Sequence, residues 1–335
     1  MARRPTQVEK RAQRARQAQP QPSRAAASSA SAATGTHGST PAFELVDIPG
    51  KGIGVVAARD LKAGDLVLKE SPVLVLESAT AAPALDMAYS RLSDQDRERY
   101  DALYISEPNE MLPRELAIFK TNAIGLGVGS SKGGVFLNGS RFNHACNANC
   151  HRAWDDKQGV EWFIAMVDIE AGTELTISYI EYKATRAARQ LELQATFGFD
   201  CTCDACTLGR EETAVSDERR LKIKAISRST EYLRLVDPLK LVRDVKVAFS
   251  LMEEEGILEG RADLAFECLS VCAYNGDRLN TRLWTDKTLE LDRRESGIWS
   301  SMYRQMKGWQ GTPTRHPGWN FSASKSGTKV LIGPN

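Results

Sequence analysis

The seven cysteines are unevenly distributed, and five of them lie between residues 146 and 206. Three form the C-x-C-x-x-C run Cys201-Thr202-Cys203-Asp204-Ala205-Cys206. Thiolates at this spacing on a turn can converge on one ion, and Zn²⁺ takes four ligands in a tetrahedron with Zn–S distances of about 2.3 Å. A fourth cysteine must complete the site, and four thiolates leave no open position, so a structural metal is predicted. The alternative, a disulfide, is disfavoured in a reducing compartment.

The fourth ligand must come from the four remaining cysteines. Cys268 and Cys272 share an apolar helical face, which is typical of small buried hydrophobic residues rather than of ligands. Cys146 and Cys150 lie in a polar stretch without a helical or strand period. The spacing alone does not separate Cys146 from Cys150.

Two glycine clusters have the start of a dinucleotide-binding fingerprint, at residues 50–54 and 125–129. Both lack the third glycine, because Val55 and Ser130 stand at that position, and neither opens a helix within a βαβ unit. No Walker A pattern occurs, so a Rossmann or P-loop enzyme is disfavoured. Gly52 and Gly54 are instead expected to form a plain turn, to adopt positive φ, or to allow close approach of another group.

The elements around these motifs change character along the chain. Short β-rich runs separated by turns begin at Phe43, a charged helical stretch covers residues 84–104 with a start at Ser93, and a second charged helix is predicted from about residue 182 to 194. Strand character returns between the two helical stretches, at residues 135–137, 162–167 and 174–179. From residue 216 to 294 the chain has helical periods with almost no strand signal, which predicts a second, all-helical domain.

Composition limits the class of protein. The 335 residues carry 44 Lys+Arg and 43 Asp+Glu, so the net charge of +1 argues against a dedicated nucleic-acid binder. No run of about 18 apolar residues exists, which excludes a membrane-spanning helix.

Residues 1–40 are basic and polar and are predicted to be a disordered arm. The arm is not a secretory signal; a solvated tail, a nuclear or nucleic-acid tether and an organellar transit peptide remain open. Residues 311–335 are predicted to be a disordered tail.

Four motifs occur in a fixed order: residues 50–55, Asn143 to Asn149, Glu174 to Tyr179, and the cysteine run. In this order they resemble SET-domain protein-lysine methyltransferases over residues 43–207, in particular the SMYD-like and fungal SET branch, without a MYND finger. The resemblance implies an α+β fold. It divides the chain into a β-rich SET domain at 41–200 with a helical insertion at about 79–120, a zinc-binding post-SET segment at 201–210, and an all-α C-terminal domain at 211–310.

The resemblance also implies an activity, the transfer of a methyl group from S-adenosylmethionine to a lysine of a protein or peptide, a histone being one candidate. Tyr179 would be the catalytic tyrosine, and the helical domain would form one wall of the substrate cleft. A monomer located in the nucleus or cytoplasm is expected, with nucleic acid bound only through the basic arm, if at all. The implied cofactor contacts are Lys51, Gly52, Ile53, Asn122, Asn143, His144 and Phe197, and the implied zinc ligands are Cys146, Cys201, Cys203 and Cys206.

The chemistry is consistent with these roles. Methyl transfer is an in-line displacement, so an enzyme must align a neutral amine with the sulfonium methyl. Because lysine has a pKa near 10.4, a desolvating aromatic channel that favours the neutral amine would help. Tyr179 falls on the same face of a period-2 strand as Leu175 and Ile177, at the end of that buried face.

Some features leave alternatives open. Ala145 and Ala148 replace the usual serine and proline of the family motif, and Gly54 stands where some SMYD-like members carry arginine. Tyr179 could be a core tyrosine and His144 a structural histidine. Asn143 is also compatible with an Asx turn. The rival hypothesis is a catalytically inactive SET-like scaffold for protein interactions, and a zinc-stabilised nucleic-acid-binding protein is a more distant one. The presence of Tyr179 and of both cofactor segments favours the enzyme.

Overall fold

The computed structural model describes residues 40–77, 82–127, 129–321 and 330–334. The predicted basic arm therefore lies outside the described residues, apart from residue 40. The described ranges contain ten strands and nine α-helices. Within these ranges, no helix is long and apolar enough to cross a membrane.

The strands are short and form four small sheets. The strands are β1 (Phe43–Ile48), β2 (Gly52–Ala57), β3 (Leu66–Glu70), β4 (Leu74–Glu77), β5 (Ile124–Gly125), β6 (Lys132–Val135), β7 (Asn143–His144), β8 (Cys150–Asp155), β9 (Val160–Ala165) and β10 (Thr176–Ile177). Strands β1 and β2 pair antiparallel, and antiparallel three-stranded sheets have the orders β3-β9-β8 and β4-β6-β5. Strand β7 pairs in parallel with β10, which brings the second and third sequence motifs side by side.

The first glycine cluster forms the tight turn between β1 and β2. Gly50 and Gly52 have φ of +76° and +70°, a region that glycine enters without a steric cost. The backbone N–H of Lys51 donates to the Ile48 carbonyl across the turn at 2.9 Å. At Gly54 an added Cβ would lie 2.6 Å from Asn143 Nδ2, so this glycine permits close approach. Both of the roles expected for these glycines, positive φ and close packing, therefore occur.

Three helices lie between β4 and β5: α1 (Ala82–Ser90), α2 (Asp94–Asp101) and α3 (Arg114–Asn122). Helix α2 begins where the sequence predicts it, because the Ser93 hydroxyl accepts a hydrogen bond from the Asp96 N–H at 3.1 Å. Tyr100 is fully buried, and its hydroxyl donates to the Glu115 carbonyl at 2.9 Å, which joins α2 to α3.

Helix α4 (Arg186–Phe197) precedes the cysteine run. It starts later than predicted because Thr185 caps it, accepting from the Ala188 N–H at 3.3 Å. It ends at Gly198, which has a left-handed φ of +73° and turns the chain toward the cysteines.

The remaining chain is helical, in agreement with the predicted all-α region. Its helices are α5 (Arg210–Val236), α6 (Pro238–Glu255), α7 (Arg261–Tyr274), α8 (Arg278–Glu295) and α9 (Ser301–Trp309). Helix α5 packs on α6 and α7 packs on α8 around a shared core that includes the fully buried Trp284. Cys268 and Cys272 are fully buried in this core, as predicted from their apolar face.

The predicted disordered tail is wrong for the parts of 311–335 that the structure describes. A short 3-10 helix forms at Pro313–Arg315. Further on, the Leu331 N–H donates to Asp277 Oδ2 at 2.6 Å, and Trp284 Nε1 donates to the Ile332 carbonyl at 2.8 Å. The polar composition of this tail hides one apolar pair, Leu331-Ile332, which packs against the helical core.

Candidate active site and metal centre

Four cysteine sulfur atoms meet at one point. The Sγ atoms of Cys146, Cys201, Cys203 and Cys206 all lie within 4.8 Å of one another, and those of Cys146 and Cys206 are 3.5 Å apart. A tetrahedral zinc site with arms of about 2.3 Å has sulfur–sulfur edges of about 3.8 Å, whereas a disulfide needs about 2.05 Å. The geometry therefore fits four ligands of one ion and does not fit a disulfide.

The fold separates the two candidates for the fourth thiol. Cys146 follows β7 and joins the cluster, whereas Cys150 begins β8 and is buried in the core of the neighbouring sheet. Burial raises the pKa of the Cys150 thiol, which keeps it neutral. Within the described ranges, no second group of three or more potential metal ligands occurs.

The cysteine run is held in place by helix α4 and by its own turn. Gln190 on α4 makes two hydrogen bonds of 2.8 Å to the backbone of Cys201, one as donor and one as acceptor. The Cys206 N–H donates to the Cys203 carbonyl at 2.7 Å, which curls the run so that its thiols point inward. The other three thiols donate to Cys203, which lowers the pKa of Cys203 and favours its thiolate.

A single histidine joins the cysteine cluster to Tyr179. The backbone N–H of Tyr179 donates to His144 Nδ1 at 3.1 Å, so in the neutral ring the proton is on Nε2. His144 Nε2 lies 3.4 Å from Cys146 Sγ and can donate to it. Burial lowers the pKa of His144 to about 4, so the ring is neutral near pH 7. The tautomer of His144 is therefore set from both sides.

The phenol of Tyr179 lies in an aromatic group. Its hydroxyl donates to the Phe142 carbonyl at 2.6 Å, and burial raises its pKa, so it is protonated. The Tyr179 ring centroid lies 4.9 Å from that of Phe197 and 5.3 Å from that of His144. Phe199 lies 6.3 Å from both Phe197 and His144 and completes the group. The hydroxyl proton is therefore donated to the Phe142 carbonyl, and the lone pairs of the hydroxyl oxygen can still accept a hydrogen bond.

Glu174 connects two of the residues that the sequence singled out. Its carboxylate accepts from Lys51 Nζ at 2.7 Å and from Asn143 Nδ2 at 3.0 Å. The role of Glu174 is not evident from the sequence, because its partners lie 123 and 31 positions away and leave no local pattern. Its position at the start of the third motif was the available signal.

The remaining predicted cofactor contacts, Gly52, Ile53 and Asn122, lie in different surroundings. Gly52 and Ile53 are exposed at the start of β2, next to Lys51. Asn122 ends α3, and its amide donates to the carbonyls of Tyr104 at 2.7 Å and Ile118 at 2.8 Å. The hydrogen bonds of the Asn122 side chain therefore attach it to the helical insertion, not to the group formed by Lys51, Glu174 and Asn143.

The chain is similar in sequence to known proteins over the segments that carry these motifs. The model of the SET domain family matches residues 52–180. The histone-lysine N-methyltransferase set5 of Schizosaccharomyces pombe is 29% identical over 280 residues, which cover 83% of this chain and 86% of the relative. A putative SET domain-containing protein of Acanthamoeba polyphaga mimivirus is 25% identical over 198 residues, or 48% of this chain and 76% of the relative. Human histone-lysine N-methyltransferase SMYD1 is 26% identical over 147 residues, or 41% of this chain and 29% of the relative.

The family match begins at Gly52, the last glycine of the turn, and ends one residue past Tyr179, so it contains Asn143, His144 and Glu174. The similarity to set5 extends beyond this match over most of the chain. The chain is therefore similar to SET-domain lysine methyltransferases, by the domain match over residues 52–180 and by its likeness to set5 over most of its length.

Proposed function

We propose that this chain transfers a methyl group from S-adenosylmethionine to the side-chain amine of a lysine in a protein substrate. The observation that carries the proposal is the position of Tyr179. Its phenol is fixed by Phe142, framed by Phe197, and joined through His144 to the four-thiol cluster. The names of the relatives, which include a histone-lysine N-methyltransferase and a protein-lysine N-trimethyltransferase, support this assignment.

The residues around the β1–β2 turn fit a bound cofactor. A Cβ built at Gly52 would have no described atom within 4 Å beyond its chain neighbours, so the backbone there is open to a ligand. Ile53 is 44% exposed, and Lys51 and Asn143 are held beside it by Glu174. We assign cofactor contacts to this group and to His144, Phe197 and Asn122. Asn122 has the weakest support, because its amide is bonded within the helical insertion.

Bound S-adenosylmethionine would supply the sulfonium methyl group. The neutral lysine amine would attack the methyl carbon in line, so that the C–N bond forms as the C–S bond breaks and the sulfur leaves as a neutral thioether. The role of Tyr179 is to accept a hydrogen bond with its oxygen lone pairs while its own O–H continues to donate to the Phe142 carbonyl. This orients the amine. Phe197 excludes water beside Tyr179, and a drier environment lowers the pKa of a lysine amine toward the neutral form. One proton leaves the amine in each transfer.

The four thiols fit a structural Zn²⁺, because their spacing matches a tetrahedron and no ligand position is left for water. The ion would hold the segment that carries Phe199 and the cysteine run against β7 and β10. We therefore assign zinc a role in shaping the site and none in the chemistry.

The proposed substrate is a lysine-containing protein segment, and histones are the first to test because the set5 and SMYD1 relatives are named for them. A location in the nucleus or cytoplasm and a monomeric state are proposed with it.

The test is calorimetric titration with S-adenosylmethionine followed by a methyl-transfer assay on histone and peptide pools. Tyr179→Phe is expected to lower kcat about 100-fold, since an oriented hydrogen-bonding group typically contributes that much, while cofactor affinity changes less than about twofold. Tyr182→Phe is the matched control, because its hydroxyl also donates to a backbone carbonyl, that of Glu259 at 2.9 Å. Absence of cofactor binding at millimolar concentration would refute the proposal. Binding without transfer by the wild type would support the scaffold.

A further inference from the structure

Arg189 is a buried cation that forms no ion pair with any carboxylate among the residues that the structure describes. It lies on α4 with no solvent exposure and is among the largest fully buried side chains. In the part of the chain that the structure describes, its contacts are two sulfur atoms and two carbonyls. Its Nε lies 3.2 Å from Cys146 Sγ and its Nη2 lies 3.8 Å from Cys206 Sγ, while Ala184 and Ala205 accept at 2.6 and 3.4 Å.

The second fully buried arginine has a different environment. Arg220 on α5 forms an ion pair with Glu255, with Nε and Oε2 3.2 Å apart, and it also donates to Asn147 Oδ1 at 2.8 Å. A buried guanidinium without an anion is strongly unfavourable. Among the described residues, the groups beside Arg189 that can carry a negative charge are the sulfur atoms of Cys146 and Cys206, which are thiolates when they bind a metal. Their negative charge and the hydrogen bonds that they accept from the guanidinium offset its burial.

We propose that Arg189 is a positioning residue of the metal centre. This inference rests on the zinc proposed above. A divalent ion with four thiolates keeps an excess of negative charge in a buried place, and the guanidinium neutralises part of it. Its N–H groups also fix the direction of the sulfur lone pairs, as other partners of metal ligands do.

A chain of hydrogen bonds connects Arg189 with Tyr179 through Cys146 and His144. Cys146 Sγ receives Arg189 Nε on one side and His144 Nε2 on another, so its position is set by both donors. His144 accepts in turn from the Tyr179 N–H. Loss of Arg189 would therefore loosen Cys146 first and the support of Tyr179 second.

The experiment measures zinc affinity in the full-length protein at pH 7.5, by competition with a chromophoric chelator. Arg189→Gln is expected to weaken zinc binding about 10- to 100-fold, the usual cost of losing a partner of a metal ligand. Arg220→Gln is the matched control, since it removes a buried arginine that has no thiol contact, and a change of less than about threefold is expected, below that range. In the cobalt-substituted protein, the sulfur-to-metal charge-transfer band should shift in the Arg189 variant and stay in place in the Arg220 variant.

The inference is refuted if Arg189→Gln folds, by circular dichroism, and binds zinc as the wild type does. It is also refuted if Arg220→Gln weakens zinc to the same extent, because the effect would then be one of general packing. If Arg189→Gln does not fold, Arg189→Lys takes its place, since it keeps the charge and loses the two-sulfur contact. An unshifted cobalt band in that variant refutes the inference. A wild type that binds no metal at all would refute the metal centre itself, so the two failures are distinguishable.

Discussion

Glu174→Gln tests the group formed by Lys51, Glu174 and Asn143. The substitution keeps the size of the side chain and removes the negative charge that holds Lys51 at 2.7 Å and Asn143 at 3.0 Å. The Lys51 side chain is 41% exposed, so its ion pair contributes less than about 1 kcal/mol. The hydrogen bond from Asn143 to the carboxylate is less exposed. A hydrogen bond to a charged group contributes about 1.5–3 kcal/mol to stability when buried, and partial exposure to solvent reduces this contribution.

Together these contributions amount to about 1–2 kcal/mol, or a factor of about 5–30 in an equilibrium constant. If Lys51 and Asn143 contact the cofactor, Glu174→Gln should raise the dissociation constant of S-adenosylmethionine by that factor. Turnover at saturating cofactor should change little, because the Glu174 carboxylate bonds to Lys51 and Asn143 whereas the Tyr179 hydroxyl bonds to the Phe142 carbonyl.

Calorimetry gives the dissociation constant, and steady-state methyl transfer separates KM from kcat. The control is Asp168→Asn, which breaks an ion pair with Lys62 of similar length, 2.8 Å, at a site with both side chains exposed. The reasoning fails if Glu174→Gln binds cofactor as tightly as the wild type. It also fails if Asp168→Asn weakens binding equally.

Two further predictions concern packing and pH. Gly54→Ala should destabilise the fold by about 1–3 kcal/mol, because its Cβ would lie 2.6 Å from Asn143 Nδ2, whereas Gly125→Ala meets nothing within 4 Å and should be near neutral in thermal unfolding. Burial raises the pKa of Glu161 from 4.5 to about 7 despite the nearby Arg152, so its contribution to stability is complete below pH 4.5 and is lost as the pH rises to 7. Glu161→Gln should therefore be more stable than the wild type at pH 8, by up to about 3 kcal/mol, and not at pH 4.5. Equal stability changes at both pH values in denaturant titrations would contradict this.

The local elements of the chain were largely predictable. Hydroxyl caps and glycines act over three or four residues, so the start at Ser93 was correct, while Thr185 was overlooked as the start of α4. The prediction of a disordered tail at residues 311–335 was wrong for the described part because it used the average polarity of the whole segment. Burial of Leu331 depends on contacts with Asp277 and Asn280 of the helical domain, more than forty residues earlier in the chain.

The sequence was sufficient to predict which residue types form the site, but not which of these residues contact one another. The C-x-C-x-x-C spacing indicated a metal because three thiols within six residues must lie close together. It did not distinguish Cys146 from Cys150, since that choice depends on the parallel pairing of β7 with β10.

By itself, the sequence determined the order of the four motifs, the glycine turn, the cysteine run and the change from strands to helices. These are short-range properties set by backbone sterics and residue chemistry. Only the tertiary structure decided that Glu174 joins Lys51 to Asn143, that His144 joins Tyr179 to Cys146, and that Arg189 faces the thiols. Most of these partners lie tens of residues apart, and burial, which makes their charges and hydrogen bonds matter, exists only once the chain is packed.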